Sequence, residues 1–517
     1  MPIRTELIEQ LRARRASLTQ NIGENKLAEL HAKGLLSARE RLDALCEEGT
    51  FQELGLHAAH NATHFGMTGR TLPADGVIAG SGYVGNTQVA VFSQDFSVLA
   101  GTLGKMQARK ITRIMRHALK IGVPLVAFKD SGGARIQEGV DALSGYGDVF
   151  YTNVLLSGVV PQIAVICGTC AGGAAYSPAL MDFVIMTRSN AHMFLTGPEV
   201  IKAVTGRVTT MAEVGGAEMH ATVSGNAHFI AEDDAHAIGL VKQILSYLPA
   251  NNTEDPPHDL SVAIDEMDDP GINDFIPDSA SEPLDMYIMI RRIVDQGELL
   301  EVHAGFARNI IVGFARICGV VVGVVANQPM VMAGALDLDA ADKAARFVRT
   351  CNIFNVPIVT LVDVPGFLPG VEQERGGIIR HGAKMLSAYG SCTTPKITVI
   401  LRKAYGGSYL AMCSQELGAD MVFAWPTAEI AVMGAEAAVN ILYRKELQQT
   451  EDRQAKAAEL AQAYRDEFAS PYVSASNFYI TDVIEPGETR WMVALALRKT
   501  LDKRELRPAK KHGNIPM

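Results

Sequence analysis

The sequence predicts an α/β protein built from two copies of one domain. Short β-branched runs alternate with amphipathic helical stretches, four segments recur at a constant offset, and the recurring segments end in glycine corners of similar design. At 517 residues the chain is long enough for two large domains or about three ordinary ones. The offset is the strongest of these signals, because a duplication missed at the outset misreads the whole fold. "IAGSGYVGNTQVAVFSQ" from Ile78 matches "IVGFARICGVVVGVVAN" from Ile311, and "AGTLGKMQARKITR" from Ala100 matches "AGALDLDAADKAAR" from Ala333, both 233 positions on. "VPLVAFKDSGG" from Val123 lies over "VPIVTLVDVPG" from Val356, and "PQIAVICGTCAGG" from Pro161 lies over "PKITVILRKAYGG" from Pro395. Two domains follow, residues 1–260 and 261–517.

The elements read in order. Ser37 stands three residues before Glu40, a capping box that opens a helix at "ARERLDALCEEG". "GSGYVG" at 80–85 belongs to a hairpin-like stretch and not to a nucleotide loop. Val89–Phe92, Leu125–Phe128 and Ile163–Ile166 are strands by their β-branched apolar runs, and "GKMQARKITRIMRHALKIG" has apolar residues at helical spacing. Strand, helix, strand order implies parallel pairing with right-handed crossovers. The stretch at 247–283, acidic and rich in Pro and Asn, is a linker or a surface-wrapping segment. "RKELQQTEDRQAKAAELAQAYRDEFASP" is an exposed or partner-facing helical arm.

Composition narrows the function classes. The net charge of −10, with no basic stripe, argues against general nucleic-acid binding. Seven scattered cysteines point to a reducing compartment and not to a disulfide framework, and the lone CxxC at Cys167 and Cys170 is a weak zinc signal. The N-terminus has neither a secretory h-region nor a transit-peptide pattern, and the longest apolar run is about half a membrane span. These features predict a soluble, cytoplasmic chain without a metal. The histidines of "HAAHNATH" at 57–64 read as a polar loop.

The glycine corners are where chemistry is expected. "DSGGARIQEG" and "CAGGAAYSP" in the first copy, and "DVPGFLPG" and "YGGSYLAM" in the second, each follow an apolar strand. Glycine allows a close turn, and the first amides of a following helix have no internal partner, so they stabilise an anion. Two such turns on adjacent strands make an oxyanion hole from backbone alone. Their recurrence in both copies favours this over glycines that merely let a helix pack close to a sheet. No GxSxG elbow, phosphate loop or paired acid and base is present. Asp130 and Asp363 read as strand-closing turn or cap residues, and Tyr176 and Tyr409 as residues packing under the two corners.

These motifs, with "FLTGPEVIKAVTG" and "RKAYGGSYLAMCSQELGADMVFAWPTAEIAVMGAEAA", resemble the carboxyltransferase (β) subunits of biotin-dependent acyl-CoA carboxylases of the propionyl-CoA and acetyl-CoA type, over nearly the whole chain. The resemblance implies two tandem crotonase-like domains of the ClpP/crotonase superfamily, the first facing acyl-CoA and the second carboxybiotin, in a homo-hexameric core. By position, Ala134 and Ala174 with Gly133 and Gly173 would hold the thioester oxygen. Phe367 and Ser408 with Gly366 and Gly407 would hold the ureido oxygen of biotin, with Gly172, Gly406 and Tyr409 beside the ligands. Carboxybiotin would supply both the carboxyl group and, once that is released, the base that takes the α-proton. No biotinylation sequence or ATP loop is present, so a biotin carboxylase and biotin carrier (α) subunit is the implied partner. Leu410 stands where propionyl-type subunits usually carry Asp and would shape acyl preference. The corners serve a decarboxylase or transcarboxylase equally well. A methylcrotonyl- or geranyl-type carboxylase, a crotonase-type hydratase and a non-catalytic CoA-binding member are the other readings.

Overall fold

The computed structural model describes residues 4–19, 24–264, 269–277, 279 and 282–517. The expected linker lies partly outside the described residues; its described part holds only a short 3-10 turn, Pro270–Phe275. The chain separates into two compact units, Met1–Glu254 and Asp255–Met517.

In the first unit, β1 (Gln52–Glu53), β2 (Val77–Val84) and β3 (Thr87–Gln94) form an antiparallel edge, with "GSGYVG" inside the β2–β3 hairpin. β4 (Leu125–Ser131), β5 (Gln162–Ala171), β6 (Phe183–Thr187) and β8 (Phe229–Ala231) continue the sheet in parallel, while β7 (His192–Phe194) pairs with the far end of β5. The crossover from β3 to β4 is the helix Lys105–Ile121, which buries Ile111, Ile114, Met115 and Ala118 against the sheet. It stops at Gly122, whose φ of 67° supplies the left-handed cap that a side chain would resist.

The second unit repeats this plan. β9 (Leu300–Val302), β10 (Ile310–Ile317) and β11 (Val320–Asn327) form the antiparallel edge. β12 (Ile358–Val364), β13 (Lys396–Tyr405), β14 (Met421–Ala424) and β16 (Asp482–Val483) follow in parallel, and β15 (Glu429–Ala431) pairs with the end of β13. The helix Leu338–Ile353 takes the crossover.

One irregularity in each sheet creates the corners. The β4–β5 register shifts between Lys129 and Ser131, and the β12–β13 register between Val362 and Val364. The first half of β5 pairs with β6 and its end with β7, so the strand turns out of the sheet before it reaches glycine. At this bend the carboxylate of Asp130 occupies the space over Gly168, where an added Cβ would clash with it.

The charged C-terminal stretch forms helices Arg444–Gln449 and Arg453–Tyr464, which bury Leu447 and Ala461 against Ala435 and Val439 in a small core of their own. All seven cysteines are buried and none of them forms a disulfide. Among the described residues no helix is long and apolar enough to cross a membrane.

Candidate active site

In the first unit, Leu103 bridges Ala134 in parallel: the Leu103 amide donates to Gly133 O at 2.8 Å, and the Arg135 amide to Leu103 O at 3.0 Å. A parallel bridge uses the groups flanking the bridged residue. The amide of Ala134 itself therefore points away from Leu103, and among the described residues no acceptor meets it. On the neighbouring strand, Gly172 turns at φ 57°, ψ −124°, and the helix Gly173–Ala179 begins. Ala175 already donates back to Gly172 O at 3.1 Å, leaving the amides of Gly173 and Ala174 unpaired. The two turns touch, since a Cβ on Gly133 would stand 3.0 Å from Ala171 O.

The second unit repeats the bridge. Leu336 bridges Phe367, with Leu336 N to Gly366 O at 3.0 Å and Leu368 N to Leu336 O at 2.7 Å, so among the described residues no acceptor meets the Phe367 amide. Gly406 turns at φ 57° into the helix Gly406–Ala411, and the amides of Gly407 and Ser408 have no acceptor among the described residues. The Ser408 hydroxyl turns back to donate to Tyr405 O at 2.6 Å. A Cβ on Gly407 would meet nothing within 4 Å. There is room at this corner for a ligand carbonyl.

Charged groups hold the corners from behind. Arg135, fully buried, donates to Asp75 at 2.6 Å, to Glu138 at 2.8 Å and to Thr102 O at 3.0 Å. This clamps the backbone next to Ala134. In the second unit Arg402 pairs with buried Asp363 at 2.6 Å. Neither aspartate closes its strand as the sequence reading expected: Asp363 is in an ion pair, and Asp130 accepts the Thr169 amide at 3.2 Å inside the bend. Gly168 stands in the first unit where the repeat places Arg402, so Asp130 lacks that guanidinium. Burial pushes its carboxyl up to about 6, with the charge of Arg41 opposing.

A buried acid raised in this way weakens the fold when ionised, and the penalty is relieved as pH falls through about 6 toward its unfolded value of about 4. Asp130→Asn is expected to raise the melting temperature at pH 7.5 and to leave it nearly unchanged at pH 4.5. Thermal denaturation at the two pH values checks this.

One tyrosine placement needs correction. Tyr176 is half exposed against Phe150, while Tyr409 is buried at 8% exposure. The register of the corners places Tyr409 opposite Ala175, and Leu410, at 43% exposure, opposite Tyr176. His60 of the 57–64 loop meets Arg70 O at 2.7 Å, and no cluster of three metal-ligating side chains occurs among the described residues.

The family model of the carboxyl transferase domain matches residues 29–515. The chain belongs to the carboxyl transferase family. The crystal structure of transcarboxylase 12S, a hexamer assembly with methylmalonyl-CoA and methylmalonic acid bound, matches this carboxyltransferase with a TM-score of 0.97 at 52% identity, covering 100% of this chain and 99% of that one. The propionyl-CoA carboxylase carboxyltransferase subunit of Haloferax mediterranei is 50% identical over 99% of both chains. Methylmalonyl-CoA decarboxylase subunit alpha of Propionigenium modestum is 49% identical over 100% of both. The family's enzymes perform biotin-dependent carboxyl transfer on acyl-CoA thioesters, and the chain is an enzyme of this kind with the crotonase-type fold expected from its sequence.

Proposed function

We propose that the first corner holds the thioester oxygen of a short acyl-CoA and the second the ureido oxygen of biotin carried by a partner subunit. What supports this reading is the pair of matched corners, each with free amides on two touching or successive turns. Removing the α-proton of a thioester puts negative charge on its oxygen. The amides of Ala134 and Ala174, beside Gly133 and Gly173, meet that charge with fixed dipoles, and one such donor typically lowers a barrier by about 2.7–4 kcal/mol. Phe367 and Ser408, beside Gly366 and Gly407, do the same at the second corner. Biotin when bound supplies the carboxyl group and the proton acceptor, which is why neither corner carries an acid and base pair. Residues 1–260 then form the acyl-CoA domain and 261–517 the biotin domain. A hexameric core of this chain, served by a biotin carboxylase and carrier subunit, completes the enzyme.

Leu410 follows the second corner at 43% exposure, and the family resemblance gives the residue at this place a part in acyl preference. Leu410→Asp is expected to shift preference toward shorter acyl groups by about tenfold in relative kcat/KM, the scale of one or two methylenes in an apolar pocket. Competition between propionyl-CoA and longer acyl-CoAs checks this, and an unchanged ranking removes Leu410 from the specificity set.

The direct test mixes the purified chain with free biotin and malonyl-, methylmalonyl- or longer carboxyacyl-CoAs and follows loss of the carboxyl group by mass spectrometry. Turnover that requires biotin and ranks the acyl groups is expected. No turnover in folded, hexameric protein would overturn the reading. The corners stabilise the enolate in either direction, and the decarboxylase relative makes net decarboxylation the second reading, distinguished by running the reaction with and without a carboxyl acceptor.

A further inference from the structure

The two corners match in backbone but not in what lies beneath them. Under the first, Lys129 of β4 is buried at 3% exposure. Its Nζ donates to Ser177 Oγ at 3.0 Å and lies 4.9 Å from the centre of the Phe92 ring. Ser177 in turn donates to Asn153 Oδ1 at 2.9 Å, and Asn153 Nδ2 donates to Gln162 Oε1 at 2.9 Å; all three side chains are buried. Ser177 belongs to the helix Gly173–Ala179 and lies one turn, about 4.5 Å along the axis, below the free amide of Ala174. In the second unit the repeat places Val362 at the position of Lys129 and Ala411 at that of Ser177, both fully buried and apolar.

We infer that Lys129 is a positioning residue whose buried positive charge, tied through Ser177 to the amide-bearing helix, supports negative charge developing on the ligand at the first corner. The inference rests on reading that corner as the one that holds the thioester. A lysine taken fully out of water against one hydroxyl and one ring face is costly. Its ammonium is pushed down to about 8 by burial, with Cys170 opposing. The titratable group coupled to it does not neutralise it, since burial holds the Cys170 thiol up at about 12. With no carboxylate as partner among the described residues, the charge remains available to an anion above the helix, where low dielectric lets it act over several ångströms. An enolate oxygen is such an anion, whereas the ground-state thioester is neutral. The cation therefore favours the developing charge and not the bound substrate.

The test compares two ligands with Lys129→Gln, which keeps a donor toward Ser177 and removes the charge. One ligand is a CoA thioether ending in a carboxymethyl group, whose carboxylate takes the place of the enolate and stays ionised from pH 7 to 9; the other is the neutral acyl-CoA. Calorimetric titration at pH 7 is expected to show the carboxylate ligand bound roughly tenfold more weakly by the variant, with the neutral ligand within twofold. In wild type the preference for the carboxylate ligand should decline as pH rises past about 8. Loss of affinity for both ligands alike, or for neither, would overturn the inference, as would a wild-type preference constant from pH 7 to 9. The pH series needs no variant, so it decides the matter even if Lys129→Gln does not fold. Wild-type protein that binds neither ligand would instead count against the assignment of the corner.

Discussion

Gly407→Val is expected to leave the chain folded and to reduce biotin-dependent turnover by at least a hundredfold, about the cost of one lost oxyanion donor. The two halves of that expectation come from one observation. A Cβ built on Gly407 meets nothing within 4 Å, and its backbone is not in the left-handed region, so the fold loses little when a side chain is added. The open space is where the ligand oxygen would approach the Gly407 and Ser408 amides, so the valine methyls displace the ligand. Thermal denaturation should show the wild-type transition, while the mass-spectrometric assay shows the loss. Gly406→Ala makes the contrast: at φ 57° with Val432 O 3.0 Å away, it should lose stability as well as turnover. A fully active Gly407→Val enzyme would mean that the second corner binds nothing during the reaction.

Arg135→Met should be the most destabilising single substitution near the first corner, costing about 3–5 kcal/mol because it strands buried carboxylates without their cation. Asp75 and Glu138 both turn their oxygens to Arg135 Nη1, and the pair formed with Asp75 is wholly shielded from water. Burial raises the Asp75 carboxyl even with that guanidinium beside it. Without the guanidinium, Asp75 must take up a proton or drag in water. For a unit of about 250 residues the loss corresponds to a drop of roughly 6–20 °C in the first melting transition. Asp75→Asn combined with Arg135→Met should recover part of it. Turnover should fall further than stability alone explains, since Arg135 also anchors the chain beside Ala134 by its bond to Thr102 O.

The strands around Val89, Leu125 and Ile163 were legible because β-branched apolar runs are local signals, and all three lie inside β3, β4 and β5. The corners were legible because free turns need glycine, and the offset of the repeat displayed them twice. The clamps behind them were not. Asp75 and Arg135 are 60 positions apart and meet only through the sheet. Arg402 left a trace, since the repeat sets a guanidinium against Gly168, but a mismatch becomes meaningful only when Asp130 is seen filling the vacant volume. Lys129 interrupts the apolar run "LVAFKDS" and could have been flagged as the charge in a buried strand. The exposure of Tyr176 left no local signal, because an aromatic after a glycine corner reads the same whether it packs under the turn, as Tyr409 does, or faces out.

The burial of every thiol gives the molecule its own set of opening sensors. Burial holds the thiol of Cys46 up at about 11 and those of Cys170 and Cys413 at about 12, so an alkylating reagent at neutral pH finds almost no thiolate in the closed fold. Modification must then wait for local unfolding. Cys46, Cys167 and Cys170 report on one unit and Cys318, Cys351, Cys392 and Cys413 on the other. Timed labelling would therefore write the order in which the two halves come apart as mass steps of three and four adducts.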